Sequence, residues 1–353
     1  MAAGKRLAIP FLALLLLLPA VGLAGPYSNL YVFGDSLLDS GNAYAITKTA
    51  DPFSSYPVSP PYAQRFSDGP VSSEVLASNL GLTAVASQLG GTNYATGGAT
   101  TGVANFAALA FGGLSLPPPF SGLPAQIALL LTSSTGGLTQ QIGGFTTSPP
   151  GDIGSSLVLI WAGANDFFLT YNSGGTSAPA VEAAAANAAM NVEGAISALI
   201  LAGAKSILTV NMPDLGKIPA AAPLDAASKA IWTDYATTFN NDFLDPAYLA
   251  GLDPSVKLTE FDIFGLLNDV IADPSAYGFA NVTDACLPTS GPVPIPPGPC
   301  ANPSQYLFWD DVHPTAAADK IIGNLLYAAI PEPSPFALLI VPLVLLIARR
   351  RRS

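Results

Sequence analysis

The chain is poor in the residues that hold transition metals and in those that grip polyanions. Among 353 residues there are one histidine, His313, and two cysteines, Cys286 and Cys300. A zinc site of three or four Cys/His ligands cannot be assembled from so few unless carboxylates supply the rest, so no metal is expected. Basic residues are scarce as well: 13 Lys+Arg stand against 24 Asp+Glu, a formal net charge of −11. Nucleic-acid binding, which needs a basic face, is therefore not expected. Charged residues make up only 10 % of the chain, where soluble domains carry about 25 %. What is abundant is apolar and turn-forming: 50 % hydrophobic residues, 33 Gly and 33 Pro. Such a chain is loop-rich yet can bury a sizeable core, which argues against intrinsic disorder.

Both ends differ from the middle. Lys5 and Arg6 precede an apolar stretch with five consecutive leucines, Leu14 to Leu18, and then Pro19 and the small-residue sequence Gly22-Leu23-Ala24. This order is that of a secretory signal peptide, read here as residues 1–24 and implying passage through a Sec translocon. The other end reads Pro331-Glu332-Pro333, an uncharged run to Ala348, and four arginines, Arg349 to Arg352. Residues 336–348 would cover about 20 Å as a helix against a hydrocarbon core of about 30 Å, which suits transient membrane contact. Together, 331–353 resemble the PEP-CTERM sorting signal of exopolysaccharide-producing Gram-negative bacteria. That resemblance implies removal by an exosortase-type processing enzyme and release at the cell surface or extracellular matrix. Residues 25–330 keep 7 of the basic and 23 of the acidic residues, a formal charge of −16. Export also suits the cysteines: 14 positions apart in a Pro/Gly-rich loop, Cys286 and Cys300 are expected to form a local disulfide in an oxidising compartment.

Between the ends, short apolar runs alternate with helical stretches. Runs 30–33, 157–161 and 206–210 read as buried strands, and a further strand is expected at 256–261. An Ala-rich helix is expected over 179–202, where Val181, Ala185, Ala188, Val192, Ile196 and Leu199 form one stripe and Gly203 a stop. Further helices are expected at 226–244, 263–271 and 315–328. Strand, helix, strand implies parallel pairing and a single α/β domain over 25–330. Residues 112–151, rich in Gly and Pro with amphipathic pieces at 124–131 and 138–145, read as an insertion over one face, either a lid or a surface loop.

Open α/β sheets bind ligands beyond the C-terminal ends of their strands. The first run is followed by Gly34-Asp35-Ser36-Leu37, the second by Gly163-Ala164-Asn165-Asp166, and near the C-terminus stands Trp309-Asp310-Asp311-Val312-His313. Taken singly, Ser36 reads as a helix cap, Asn165 as a turn residue and His313 as a loop histidine. Taken together, a Ser, a His and an Asp are the parts of an activated nucleophile. No G-x-S-x-G elbow is present, which argues against the common α/β-hydrolase arrangement.

The blocks Gly34-Asp35-Ser36-Leu37-Leu38-Asp39-Ser40-Gly41-Asn42, Asn93-Tyr94-Ala95-Thr96-Gly97-Gly98-Ala99, Gly163-Ala164-Asn165-Asp166 and Asp310-Asp311-Val312-His313 resemble, in order, the four blocks of the GDSL or SGNH esterases and lipases. Leu123-Pro124-Ala125-Gln126-Ile127 and Asn211-Met212-Pro213-Asp214 look like the plant-type and outer-membrane branch. The resemblance implies an SGNH-hydrolase-like three-layer α/β/α sandwich with a mostly parallel sheet, and ester hydrolysis without a cofactor. It implies Ser36 as nucleophile, His313 as base and Asp310 as its partner, with Asp311 a neighbouring competitor. The Ser36 and Gly98 backbone N–H groups and the Asn165 side chain would form the oxyanion hole, Gly97 being the ambiguous neighbour. Asp39 and Asn42 would brace the nucleophile loop. Two rivals stay open: a carbohydrate O-deacetylase acting on matrix polysaccharide, favoured by an aromatic, polar cleft lined by Tyr56 and Tyr62, and a non-catalytic surface or matrix-binding protein on a hydrolase scaffold.

Overall fold

The computed structural model of the chain describes residues 26–330. The stretches read as leader, 1–24, and as sorting tail, 331–353, lie outside the described residues.

Four short strands form the centre: β1 (Leu30–Gly34), β2 (Leu157–Trp161), β3 (Ser206–Val210) and β4 (Lys257–Phe261), side by side in that order and all parallel. β1 and β2 are buried along their whole length, as expected for a parallel sheet covered on both faces, and so they read as unbroken apolar runs. Successive side chains alternate between two cores. Tyr31, Phe33, Val158, Ile160 and Ile207 face one; Leu30, Val32, Leu157, Leu159, Trp161, Leu208 and Val210 face the other.

Helices cover both faces and complete a three-layer α/β/α fold. On the first face lie helices Leu138–Thr147, Ala178–Leu201 and Ala226–Asp242; on the second, Ser72–Asn79 packs with Ala316–Ala329. Helix Ala178–Leu201 is long and apolar enough to cross a membrane by composition, but its stripe from Val181 to Leu199 is part of the first core. The expected strands and long helices occur with ends shifted by a residue or two, where caps and fraying decide the boundary.

Two features are new relative to the sequence reading. Residues 92–96 run parallel to β1 on its outer edge: Val32 N–H donates to Thr92 O, Tyr94 N–H to Val32 O, and Thr96 N–H to Gly34 O. The chain therefore leaves β1 toward one neighbour and later returns to the other, β2, which makes the end of β1 a switch point where a crevice opens. Second, the stretch 112–151 divides. Its first piece, helix Leu123–Ile127 and the turn Ala128–Leu131, joins a small core with Phe66 and Ala107. Helix Leu138–Thr147 instead packs on the sheet, with Phe145 5.1 Å from both the Tyr31 and Phe33 rings, and is a core layer rather than a cover.

Gly34 ends β1 at φ +148°, and a Cβ there would stand 2.0 Å from the Trp161 carbonyl oxygen of β2. Both the backbone region and the space demand glycine. Gly34→Ala should therefore cost on the order of 3 kcal/mol in urea unfolding; a loss under about 0.5 kcal/mol would mean that β1 and β2 part freely at this end.

Candidate active site

Gly34 also fixes the loop that follows it. Gln141, on helix Leu138–Thr147, accepts the Gly34 N–H (2.9 Å) and donates to the Gly34 carbonyl (2.8 Å), so the residue before Asp35-Ser36 is clamped from the helical layer. Further on, the buried Asp39 carboxylate accepts from the backbone N–H groups of Gly41, Asn42, Ala43 and Gly97 at 2.5 to 3.0 Å. Asn42 donates to the carbonyls of Asn93 and Ala95 (2.7 and 2.8 Å). These bonds tie the segment carrying Ser36 to the segment carrying Gly98, which is the bracing expected of Asp39 and Asn42.

Gly97 and Gly98 are distinguished by these partners. The Gly97 N–H is given to Asp39, whereas the Gly98 N–H has no protein acceptor among the described residues, nor has that of Ser36. Gly98 adopts φ +79°, and a Cβ there would meet Asn105 Oδ1 at 2.6 Å. Asn105 holds this turn by donating to the Gly97 carbonyl. Beside it, Asn165 at the start of helix Ala164–Asn172 donates through Nδ2 to the Ala99 carbonyl (3.1 Å), and Asp166 accepts from the Thr101 N–H and hydroxyl. Ser36, Gly98 and Asn165 all line one cleft of ≈ 790 Å³, open mouth included.

The fourth segment arrives from the other end of the chain. Strand Asn281–Ala285 pairs with Tyr306–Phe308, and the Trp309 N–H donates to the His313 carbonyl (2.7 Å), closing a tight loop. Cys286 and Cys300 are disulfide-bonded, and Leu287, next to Cys286, donates its N–H to the Trp309 carbonyl (2.6 Å), so the cross-linked loop supports this turn. His313 Nε2 lies 2.7 Å from Ser36 Oγ, and Nδ1 lies 2.8 Å from Asp310 Oδ2. With the carboxylate accepting at Nδ1, the Nε2 lone pair faces the Ser36 hydroxyl. Asp311 bonds to the Thr289 hydroxyl instead (2.8 Å). Asp310 is buried, which raises its pKa, but the His313 ring, the Tyr62 hydroxyl (2.6 Å) and the His313 backbone N–H outweigh burial and hold it below the ordinary carboxylate value. Phe66 packs on the imidazole, ring centroids 5.1 Å apart; a side chain at Gly97 would strike the Phe66 ring at 2.2 Å.

The sequence suggests Tyr62 for the cleft wall but not its bond to Asp310, and it carries no signal for Gln141, whose role depends on the helix containing it being part of the core. Among the described residues no group of three or more His, Cys, Asp or Glu converges as a metal site.

Comparison with known proteins gives the family. Residues 30–326 match the family model "GDSL-like Lipase/Acylhydrolase". The chain belongs to this family. It is accordingly a carboxylic ester hydrolase. A GDSL esterase/lipase of Arabidopsis thaliana is 29 % identical over 315 residues, covering 84 % of this chain and 89 % of that relative. A second from the same plant is 27 % identical over 347 residues, covering 85 % and 89 %. A phosphatidylcholine-sterol acyltransferase of Aeromonas hydrophila is 26 % identical over 353 residues, covering 87 % and 89 %.

Beside the nucleophile of this GDSL domain a buried carboxyl is only half met by donors. Asp35 is buried beside Ser36; Oδ1 accepts the Leu37 N–H (3.0 Å) while Oδ2 has no hydrogen-bond partner. Burial pushes its pKa up to about 7, against the Leu37 N–H, which lowers it. Below its unfolded value of 3.8 Asp35 is protonated in both states. Between there and about 7 only the unfolded chain releases the proton, so stability falls as pH rises through that window. Asp35→Asn should therefore unfold at higher urea than wild type at pH 8, with the advantage shrinking toward pH 4; equal midpoints at pH 8 would show that the carboxylate is accommodated there without cost.

Proposed function

We propose that this ester hydrolase works through a Ser36-His313-Asp310 triad, and the observation that carries the reading is the unbroken line of contacts from Asp310 through the His313 ring to Ser36 Oγ at the floor of a cleft. Ser36 Oγ attacks the ester carbonyl and its proton passes to His313 Nε2. Asp310 holds the tautomer and favours the imidazolium. The oxygen that becomes negative in the tetrahedral intermediate is met by the uncommitted N–H groups of Ser36 and Gly98 and by the Asn165 amide. Collapse releases the alcohol, which takes the proton from His313. Water, deprotonated by the same ring, then cleaves the acyl-enzyme and restores Ser36.

We also read the protein as exported: a leader over 1–24 sends it through the Sec translocon, and the tail over 331–353 gives transient contact with the inner membrane before an exosortase-type enzyme releases it to the surface or matrix. The sequence features of the two ends support this, and the disulfide suits an oxidising compartment. Tyr56 on the cleft wall keeps O-deacetylation of a matrix polysaccharide as the second reading, so acetylated glycans belong beside p-nitrophenyl esters and lipids in the substrate panel.

Ser36→Ala should lower kcat by several orders of magnitude in a folded protein, leaving only binding and oxyanion terms. Retention of more than about a tenth of wild-type turnover would sink the nucleophile assignment. Asn165→Ala should lower kcat by about 10²–10³ with a smaller change in KM; an effect on KM alone would make Asn165 a ground-state contact.

A further inference from the structure

The triad fixes where the alcohol part of the ester lies. With the carbonyl oxygen against the Ser36 and Gly98 N–H groups and the Asn165 amide, the leaving oxygen has to reach His313 Nε2 to take its proton. The alcohol substituent therefore extends along the turn that carries His313. Two polar side chains that the reaction does not use line the cleft there: Asp311 on that turn, and Thr289 on the disulfide-closed loop. The Thr289 hydroxyl donates to Asp311 Oδ2 (2.8 Å), and the Ala220 N–H donates to the Asp311 carbonyl (2.8 Å), so the residue is held at both its side chain and its backbone. Asp310 is spent on the His313 ring and the Tyr62 hydroxyl, and Asp35 is fully buried. Asp311 is only half-buried, and among the described residues no lysine or arginine lines the cleft. Its charge thus acts on whatever enters. Tyr56 and Phe66, ring centroids 5.1 Å apart, line the same cleft and offer aromatic surface to a cation.

We propose that Asp311 sets the charge of the alcohol part, favouring a cation there and rejecting an anion. It is a specificity residue, and the proposal rests on the triad reading, which decides which side of the cleft the alcohol occupies. An anionic substituent would approach a carboxylate with no cation to offset it, in a partly enclosed cleft where the repulsion exceeds that in water. An ammonium group gains the same interaction with the opposite sign. The charge also bears on the second reading of the cleft: an acetylated glycan with a carboxylate beside the ester is a poorer substrate than a neutral or amino-bearing one.

The experiment measures kcat/KM for three acetates that differ in one terminal group: acetylcholine, its neutral isostere 3,3-dimethylbutyl acetate, and the anionic acetyl isethionate. Each value is divided by the hydroxide-catalysed rate of the same ester, and the proteins are the wild type, Asp311→Asn and Asp253→Asn. Asp253 is exposed and precedes β4, at the end of the sheet away from the cleft. Its replacement changes the net charge equally without touching the site, and in about 0.15 M NaCl charges more than about 8 Å apart are largely screened. The wild type should prefer the cationic ester to the neutral one and the neutral one to the anionic. Asp311→Asn should lower the cation-to-anion ratio about tenfold or more, while Asp253→Asn should leave it within about twofold. A general loss of activity cancels in the ratio, so a merely structural role for Asp311 would not move it. Asp311→Ser should act in the same direction and decides if Asp311→Asn does not fold. An unchanged ratio, or turnover of p-nitrophenyl acetate with none of acetylcholine, would overturn the proposal and leave the triad in place. A ratio that falls as expected, with turnover surviving in Ser36→Ala, would keep Asp311 as the charge filter and overturn the nucleophile assignment instead.

Discussion

The Asp39 carboxyl is the group on which the site depends. It is fully buried, and a buried carboxylate is tolerable only when its oxygens are met by donors of good geometry. Four backbone N–H groups meet them, three from the turn that opens the helix at Asn42 and one from Gly97. Two segments nearly sixty residues apart are thereby locked together, and the geometry of Ser36 relative to Gly98 follows. Using the Gly97 N–H in this way also decides which glycine has an N–H left over to face the cleft.

From Gly97 the linkage spreads along a short segment. Gly97 O is held by Asn105, Ala99 O by Asn165, and the Thr101 N–H and hydroxyl by Asp166. Residues 97–101 thus join the loops after β1 and β2 without contributing a strand of their own to the inner sheet. The last segment joins differently, through packing and one covalent link: Tyr62, Leu287, Trp309 and the Cys286–Cys300 disulfide form a separate buried cluster under the Asp310 turn. Tyr62 belongs to both systems, since its ring packs on Trp309 while its hydroxyl reaches Asp310.

What the sequence made legible was whatever is doubly buried. The strands 30–33, 157–161 and 206–210 show as apolar runs because both of their faces meet cores, and the stripe of the Ala-rich helix shows because one face does. The edge at 92–96 was hidden, since Thr92-Asn93-Tyr94-Ala95-Thr96 pairs with β1 on one side and with residues 85–87 on the other but has too many polar residues to read as an apolar run. Residues 138–147 were misjudged for a related reason. Flanking glycines and prolines suggested a loose excursion, whereas the pattern Leu138, Gln141, Ile142, Phe145 is a core stripe with one glutamine in it, and that glutamine is the clamp on Gly34. The four reacting segments were visible only jointly, because each alone is an ordinary turn.

The electrostatics of the site answer a difficulty set by composition. The reaction builds negative charge on an oxygen within a body whose formal charge over 25–330 is −16, with few cations to offset it. The fold instead neutralises its own carboxyls near the oxyanion position. Asp39 and Asp310 are saturated by donors, the first by four N–H groups and the second by the imidazole, the Tyr62 hydroxyl and two backbone N–H groups; burial still pushes Asp39 up, whereas Asp310 is held below the ordinary carboxylate value. Asp35 and Asp166 are pushed up, mainly by burial, to about 7 and about 6, so that Asp35, the nearest to Ser36, carries little charge at moderate pH. A carboxylate left unpaired there would repel the developing oxyanion through a low-dielectric wall, where such repulsion is strongest. Holding the proton on Asp35 costs folding stability, and it leaves the N–H groups of Ser36 and Gly98 and the Asn165 amide as the local field that the carbonyl oxygen meets.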